Sequence, residues 1–246
     1  MNNIPGINTA DLQKALDNID ALPKKEQIEL LQLIEALESK TLLTKRQNTF
    51  LDFVNHVYPG YKVGAHHAKL ARIFEEIAQG KKKRVIVNIA PRHGKSELIS
   101  YLAPAWFLGK YPHKKIIMAS HTADLAVNFG RRVRNLVGSD PYQEIFPNVS
   151  LQADSKSASR WGTNYNGEYF AIGVGGALAG RGADLFIIDD PHSEQDAKLG
   201  KSEVFLPAWE WFQSGPIQRL MPGGAIIVVM TRWSKLDLTG QIVNQM

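Results

Sequence analysis

Arg84-Val-Ile-Val-Asn-Ile-Ala-Pro-Arg-His-Gly-Lys-Ser96 is the stretch that decides the fold. Its first half, Arg84 to Ile89, is a short run dominated by β-branched apolar residues and predicts a buried strand. Its second half is a tight loop ending in Gly94-Lys95-Ser96, and Ser96 to Leu108 predicts a helix closed by Gly109. The tripeptide alone is common, but strand, loop and helix in this order make a phosphate cradle. Backbone N–H groups and the helix N-terminus attract an anion, a lysine reaches the β- and γ-phosphates, and a hydroxyl ligates Mg2+. Pro91, Arg92, His93, Gly94, Lys95, Ser96 and Glu97 are therefore the candidate ATP-binding residues, with Ser96 on the metal. Where such loops usually carry a first glycine this one has Ile89, and Pro91 removes one N–H donor. Arg92 either stabilises charge on the γ-phosphate in its own subunit or is a solvated loop arginine.

Outward from this stretch, Lys115 to Ala119, Asp184 to Asp189 and Ala225 to Met230 read as further buried strands. Thr122 to Val137 reads as a helix closed by Gly138, and Ser202 to Gln213 as a helical stretch. Alternating strand and helix imply an α/β fold with a mostly parallel sheet covered on both faces. Asn166-Gly167 predicts a β-hairpin between Arg160–Tyr165 and Glu168–Val174. Upstream, helices are expected over Thr49 to Tyr58 and His66 to Gln79, the second stopped by Gly80. Leu12, Ala15, Leu16 and Ile19, then Ile28, Leu31, Ile34 and Leu37 beyond Pro23, predict a helical hairpin over residues 9–41. The expected division is an N-terminal helical appendage, 1–46, and a main domain, 47–246. The appendage either packs on the main domain or docks a partner.

The strand Leu185-Phe-Ile-Ile-Asp189-Asp190 ends in two carboxylates. Asp189 is the candidate to hold Mg2+ through water, and Asp190 to orient or deprotonate an attacking water. Both motifs lie at the C-terminal ends of strands in one predicted parallel sheet, where ligands of such sheets bind. Just upstream, the glycine-rich Gly173 to Gly182 carries one arginine, Arg181. It either presents Arg181 to a phosphate, in its own site or a neighbouring subunit's, or is a plain linker. His66 and His67 either touch the adenine base or merely open a helix. Lys81 to Arg84 and Arg131 to Arg134 are basic clusters suited to DNA phosphates, or else solvated surface. Trp209, Trp211, Phe212, Met118 and Met230 read as core.

The chain has 246 residues, 44% hydrophobic and 22% charged, enough for one large domain or a domain with an appendage, and not a disordered composition. Its net charge of +5 is compatible with a polyanionic partner. It has no cysteine, which excludes disulfides, Cys-ligated zinc and a cysteine nucleophile. The longest apolar run, Ala225 to Met230, is far too short to span a bilayer, and the N-terminus does not resemble a signal peptide. A soluble intracellular protein without membrane association is expected.

Pro91-Arg-His-Gly-Lys-Ser-Glu97, Gly180-Arg-Gly-Ala-Asp184 running into Ile187-Ile-Asp-Asp-Pro191, and Thr231-Arg-Trp233 followed by Asp237-Leu-Thr-Gly240 together resemble the large terminase subunit of tailed bacteriophages. The resemblance extends over roughly residues 50 to 246. It implies a P-loop NTPase of the ASCE, RecA-like type that uses ATP and Mg2+ to drive double-stranded DNA into a procapsid. It further implies a homo-oligomeric ring on the portal protein, a small terminase subunit as partner, and transient residence at the portal in the host cytoplasm; the isolated chain is expected to be monomeric. By the same resemblance Lys95 and Ser96 bind phosphate and Mg2+, Asp189 is the metal-associated acid, and Asp190 the catalytic carboxylate. Arg181 matches the arginine proposed to act across the subunit interface, and Thr231-Arg232 a γ-phosphate-sensing coupling motif. The family's C-terminal nuclease domain has no counterpart up to Met246, so nuclease activity is expected only of a longer parent. Two competing functions are a helicase-like ATPase, for which a second lobe does not fit this length, and a nucleotide-regulated switch that binds nucleic acid.

Overall fold

The computed structural model describes residues 14, 16, 18–154, 157–199 and 202–245. The chain divides into two compact units, Met1–Lys45 and Arg46–Met246. Most of the first arm of the expected hairpin lies outside the described residues. After a 3-10 turn at Ile19–Ala21, helix α1 runs over Lys24–Asn48, past the expected end at residue 41, and buries no residue.

In the second unit, α2 (Phe50–Val57) and α3 (Ala65–Ala78) precede strand β1 (Arg84–Asn88), and Gly80 stops α3 with φ +74°. The helix after the phosphate loop opens at Lys95, widens into a π-helical segment over Glu97–Leu102 and continues as α4 (Ala103–Lys110). In the π segment the Ala103 N–H reaches back to the Leu98 carbonyl. Pro104, which has no N–H to give and would crowd the carbonyl four residues back, sits where this wide turn ends. Gly109 does not close the helix as expected. A Cβ there would lie 2.3 Å from the Phe146 ring, so this glycine serves close packing rather than termination.

β2 (Lys115–Ser120), α5 (Ala123–Val137) and α6 (Asp140–Ile145) follow, with the Thr122 hydroxyl accepting from the Leu125 N–H at the start of α5. Then come β3 (Arg160–Gly162), β4 (Glu168–Gly173), β5 (Ala183–Asp189), α7 (Glu194–Leu199), α8 (Leu206–Ser214), β6 (Leu220–Met230) and α9 (Leu238–Gln245). The sheet order is β1-β6-β5-β2-β4-β3, parallel throughout except for β3, which pairs antiparallel with β4. The expected hairpin is present, but its second strand also joins the main sheet beside β2, and β6 starts five residues earlier than the apolar run at Ala225.

Side chains alternate between the two faces of each strand. Phe186, Ile188, Ile226 and Val228 pack with Trp209, Trp211, Phe212, Leu238 and Ile242 of α8 and α9 in one apolar core. Leu185, Ile187 and Asp189 point to the opposite face, toward the helix that follows the phosphate loop. Burial of this run on both sides explains why β5 reads as uninterrupted hydrophobic sequence until its carboxylates.

Candidate active site

β1, β6 and β5 are neighbours, so the residues following their C-terminal ends converge. The Ile89 N–H donates to the Met230 carbonyl at 3.3 Å and the Asp190 N–H to the Val229 carbonyl at 2.8 Å, which extends the ladder to the rim. β6, between the other two strands, delivers Thr231 to the centre. The Thr231 N–H donates to Asp190 Oδ1 at 2.9 Å, and its hydroxyl donates to the Ile89 carbonyl at 3.3 Å while accepting from the Lys95 ammonium at 3.2 Å. Lys95 Nζ also lies 2.9 Å from Asp190 Oδ2. The Ser96 hydroxyl donates to Asp189 Oδ1 at 2.9 Å. Lys95, Ser96, Asp189, Asp190 and Thr231 are thus brought into one cluster.

The loop backbone is held in a demanding form. Arg92 has φ +63°, Gly94 +74° and Asp190 +39°. Left-handed non-glycine residues are costly and concentrate at functional sites. The helix opens at Lys95, so its first N–H groups have no intrahelical acceptor and face the loop. Gly94 has a second reason to lack a side chain, because a Cβ would lie 2.5 Å from His67 Nε2.

His66 and His67 both reach the His93 carbonyl through Nε2 at 3.0 Å. A carbonyl only accepts, so both rings carry their proton on Nε2. His67 Nδ1 accepts from the Gly64 N–H at 3.0 Å, and burial lowers its pKa in spite of the bond to His93. The start of α3 therefore clamps the loop with these ring N–H groups. Beside them opens a cleft of about 410 Å³ lined by Tyr58, Tyr61, His66, Arg92, His93 and Glu97. Pro91, Arg92 and His93 are exposed, while the Glu97 carboxylate pairs with Arg132, whose guanidinium lies 4.0 Å from the centre of the Tyr101 ring. Arg132 is thereby engaged by contacts within the chain, and Arg84, although exposed, donates to the Lys83 and Gly224 carbonyls.

Asp189 is 2% exposed. Burial and, after it, the neighbouring Asp190 charge push its carboxyl up to about 7, against the opposing pull of the Ser96 and Ser100 hydroxyls and Lys95. Such a carboxylate, paired with a hydroxyl and short of compensating positive charge, suits a hard cation. Among the described residues no group of three or more His, Cys, Asp or Glu side chains is arranged to hold a metal ion. The oxygen pair of Ser96 and Asp189 fits Mg2+, which is commonly bound by one or two protein oxygens together with nucleotide phosphates.

Two sequence candidates lie elsewhere. Arg181 precedes the start of β5, where its guanidinium donates to Glu168 Oε1 at 2.9 Å and stacks 3.6 Å above the Phe170 ring. Asp189 is at the other end of that strand, about 20 Å away at roughly 3.3 Å per residue. Within one chain Arg181 is therefore not brought to the phosphate loop. Arg232 turns from the cluster toward Asp237, with Nε 3.1 Å from Oδ2. Asp237, fully buried, also accepts the N–H groups of Trp233, Ser234 and Gly240, and so caps α9 while tying the chain after Thr231 to it. Burial opposes its ionisation, but these donors prevail and hold its pKa below the usual value.

Sequence reasoning did not assign roles to His192 or Asn88. His192 Nε2 accepts the Leu238 N–H at 2.9 Å, and the Thr239 hydroxyl donates to Asn88 Oδ1 at 3.2 Å. The start of α9 is thus bonded to the segments flanking the Gly94-Lys95-Ser96 loop and the Asp189-Asp190 pair. The signal was adjacency: Asn88 closes the first strand and His192 follows the acidic pair by two residues.

Residues 86–203 match the family described as "Terminase large subunit, T4likevirus-type, N-terminal". No curated protein matches the chain. Among solved structures, the HK97 bacteriophage large terminase is similar with a TM-score of 0.54 and 16% identity, over 81% of this chain and 40% of that one. The ATPase domain of a Thermus phage large terminase aligns at a TM-score of 0.41 and 19% identity, over 70% of this chain and 66% of that one. The chain therefore spans less than half the length of the HK97 protein. The matched residues 86–203 contain the Gly94-Lys95-Ser96 loop and the acidic strand end, so this stretch is similar to the terminase large-subunit family, and the fold that carries it is similar to that of the HK97 large terminase.

Proposed function

We propose that the chain is the ATP-hydrolysing motor domain of a viral terminase large subunit, which drives double-stranded DNA into a procapsid. The observation that carries this reading is the convergence of Lys95, Asp190 and Thr231 beside the Ser96–Asp189 pair. ATP phosphates entering the loop would compete with Asp190 for the Lys95 ammonium. That exchange frees the Asp190 carboxylate to accept a hydrogen bond from a water in line with the γ-phosphorus. The water oxygen bonds to phosphorus, the bond to the bridging oxygen breaks, ADP leaves, and the water's proton passes to Asp190 or to the phosphate. Ser96 and Asp189 would hold Mg2+, whose charge offsets that of the β- and γ-phosphates. Arg92 is exposed at the loop and is the local candidate for γ-phosphate charge. The cleft beside His66 and His67 is the proposed base subsite, with their ring protons already committed to the loop.

Thr231 touches both Lys95 and Asp190, so it is placed to register whether they are paired, and Arg232 and Asp237 pass that change to α9. Arg181 is assigned to a neighbouring subunit's site in a homo-oligomeric ring on the portal, with a small terminase subunit as a further partner. The isolated chain is expected to be a monomer that turns over slowly. No helix among the described residues is long and apolar enough to cross a membrane. The setting proposed is the host cytoplasm, at the procapsid portal.

The test is steady-state ATP hydrolysis by the chain and by Asp190→Asn, with and without double-stranded DNA, alongside nucleotide affinity. A hydrolase loses roughly 10²–10⁴-fold in turnover with affinity retained. Turnover left unchanged by the substitution would favour the nucleotide-switch reading instead.

A further inference from the structure

Ser100 lies one turn beyond Ser96 on the helix that follows the phosphate loop. It is fully buried, and its hydroxyl has no hydrogen-bond partner. A buried serine in a helix ordinarily spends its hydroxyl on the carbonyl four residues back, and native interiors leave few such groups unpaired. Ser100 is an exception to both habits. It sits within the π-helical segment Glu97–Leu102, and wide turns of this kind are frequent at functional sites. Residues four apart share a helix face, so Ser100 follows Ser96 toward Asp189. Ser96 already donates to Asp189 Oδ1, and the Ser100 hydroxyl, buried on the same helix face, is among the groups that favour the ionised form of that carboxylate.

We propose that Ser100 is a positioning residue for Asp189: its hydroxyl is the second side-chain donor that sets the orientation of this carboxylate toward magnesium. The inference rests on the ATPase reading. An ionised carboxylate has about four acceptor sites, and one donor leaves it free to swing. A second donor one helical turn away fixes its plane without using any group that touches the nucleotide. Second-layer partners of this kind typically change metal affinity about tenfold or more when removed. The competing role, a small residue chosen only for close packing, would be served equally well by alanine.

The experiment compares the full chain with Ser100→Ala, using a fluorescent ATP analogue and Mg2+ as probes. The variant is expected to fold as the parent does and to bind nucleotide normally in EDTA, since Ser100 touches neither the nucleotide nor the loop that holds it. The Mg2+ concentration for half-maximal metal-dependent binding is expected to rise about tenfold. In an Asp189→Asn background the same substitution should add nothing. An unchanged Mg2+ requirement in Ser100→Ala overturns the proposal and leaves the ATPase reading standing. A fall in melting temperature with that requirement unchanged assigns Ser100 to packing. A parent chain whose nucleotide binding ignores Mg2+ overturns both.

Discussion

Asp189→Asn should make the nucleotide-free protein more stable while removing its use of magnesium. The carboxyl is 2% exposed and shifted from 3.8 to about 7 by burial and by Asp190. A raised folded-state pKa means that the native protein binds the proton more tightly than the unfolded chain. Stability from this group is fully present below about 4 and is lost as pH rises to about 7, at most about 1.4 kcal/mol per pH unit. The whole loss is on the order of 4 kcal/mol, or roughly 10 °C in melting temperature for a domain of this size. Asparagine copies the shape of the protonated acid and accepts from Ser96, so the variant should match the parent near pH 4 and exceed it at pH 8. The assay is urea unfolding in EDTA across pH 4–8, read as the difference between parent and variant so that other carboxylates cancel. Mg2+ with ATP should narrow the gap by stabilising the parent alone. A difference that stays flat with pH, or a variant less stable at pH 8, would refute the argument that Asp189 is held in an unfavourable charged form until a cation arrives.

Gly94→Ala combines a left-handed backbone, worth about 1–2 kcal/mol, with a Cβ 2.5 Å from His67 Nε2. Nucleotide affinity should fall at least tenfold by equilibrium binding, and His67→Ala in the same chain should recover part of it by making room. Asp237→Asn leaves the fold with a weaker acceptor for Arg232 and three N–H groups, costing about 2–4 kcal/mol in denaturant unfolding. Because the Asp237 pKa is lowered, its contribution is present above the ordinary aspartate range and fades as pH falls through it, so parent and variant should converge in acid. Arg181→Ala should not change the turnover of the dilute monomer, since Arg181 lies far from its own Asp189. Mixing it with Lys95→Ala at assembling concentrations should restore some activity, and no restoration would count against action across subunits.

The chemistry-bearing ends of β1 and β5 were legible because local pattern and function coincide there: an apolar run must be buried, and a loop or carboxylate pair at its C-terminal end must then sit at the sheet rim. The order of strands was not legible. Hydrophobic period says that Ala225 to Met230 is buried but not that it separates β1 from β5, and that placement is what gives Thr231 its position. Gly109 was misread because a glycine required by a neighbouring ring looks, in one dimension, like a glycine required by a helix end. Asp237 was visible only as part of a motif, since its work is to gather donors that become neighbours after the chain turns. The own-site option for Arg181 fell once the glycine-rich segment proved to descend from the rim after β4 to the far end of β5.

β1 stands at the edge of the sheet, and its only strand partner among the described residues is β6, through pairs from Arg84↔Ile226 to Asn88↔Met230. On a growing chain, the phosphate loop is therefore synthesised early and anchored late. Such pairing across a long stretch of sequence is entropically slow to form. Until β6 arrives, β1 is unpaired on both sides, and another chain could add where β6 belongs. The loop proposed to bind nucleotide thus reaches its final setting only once the strand that carries Thr231 lies between β1 and β5.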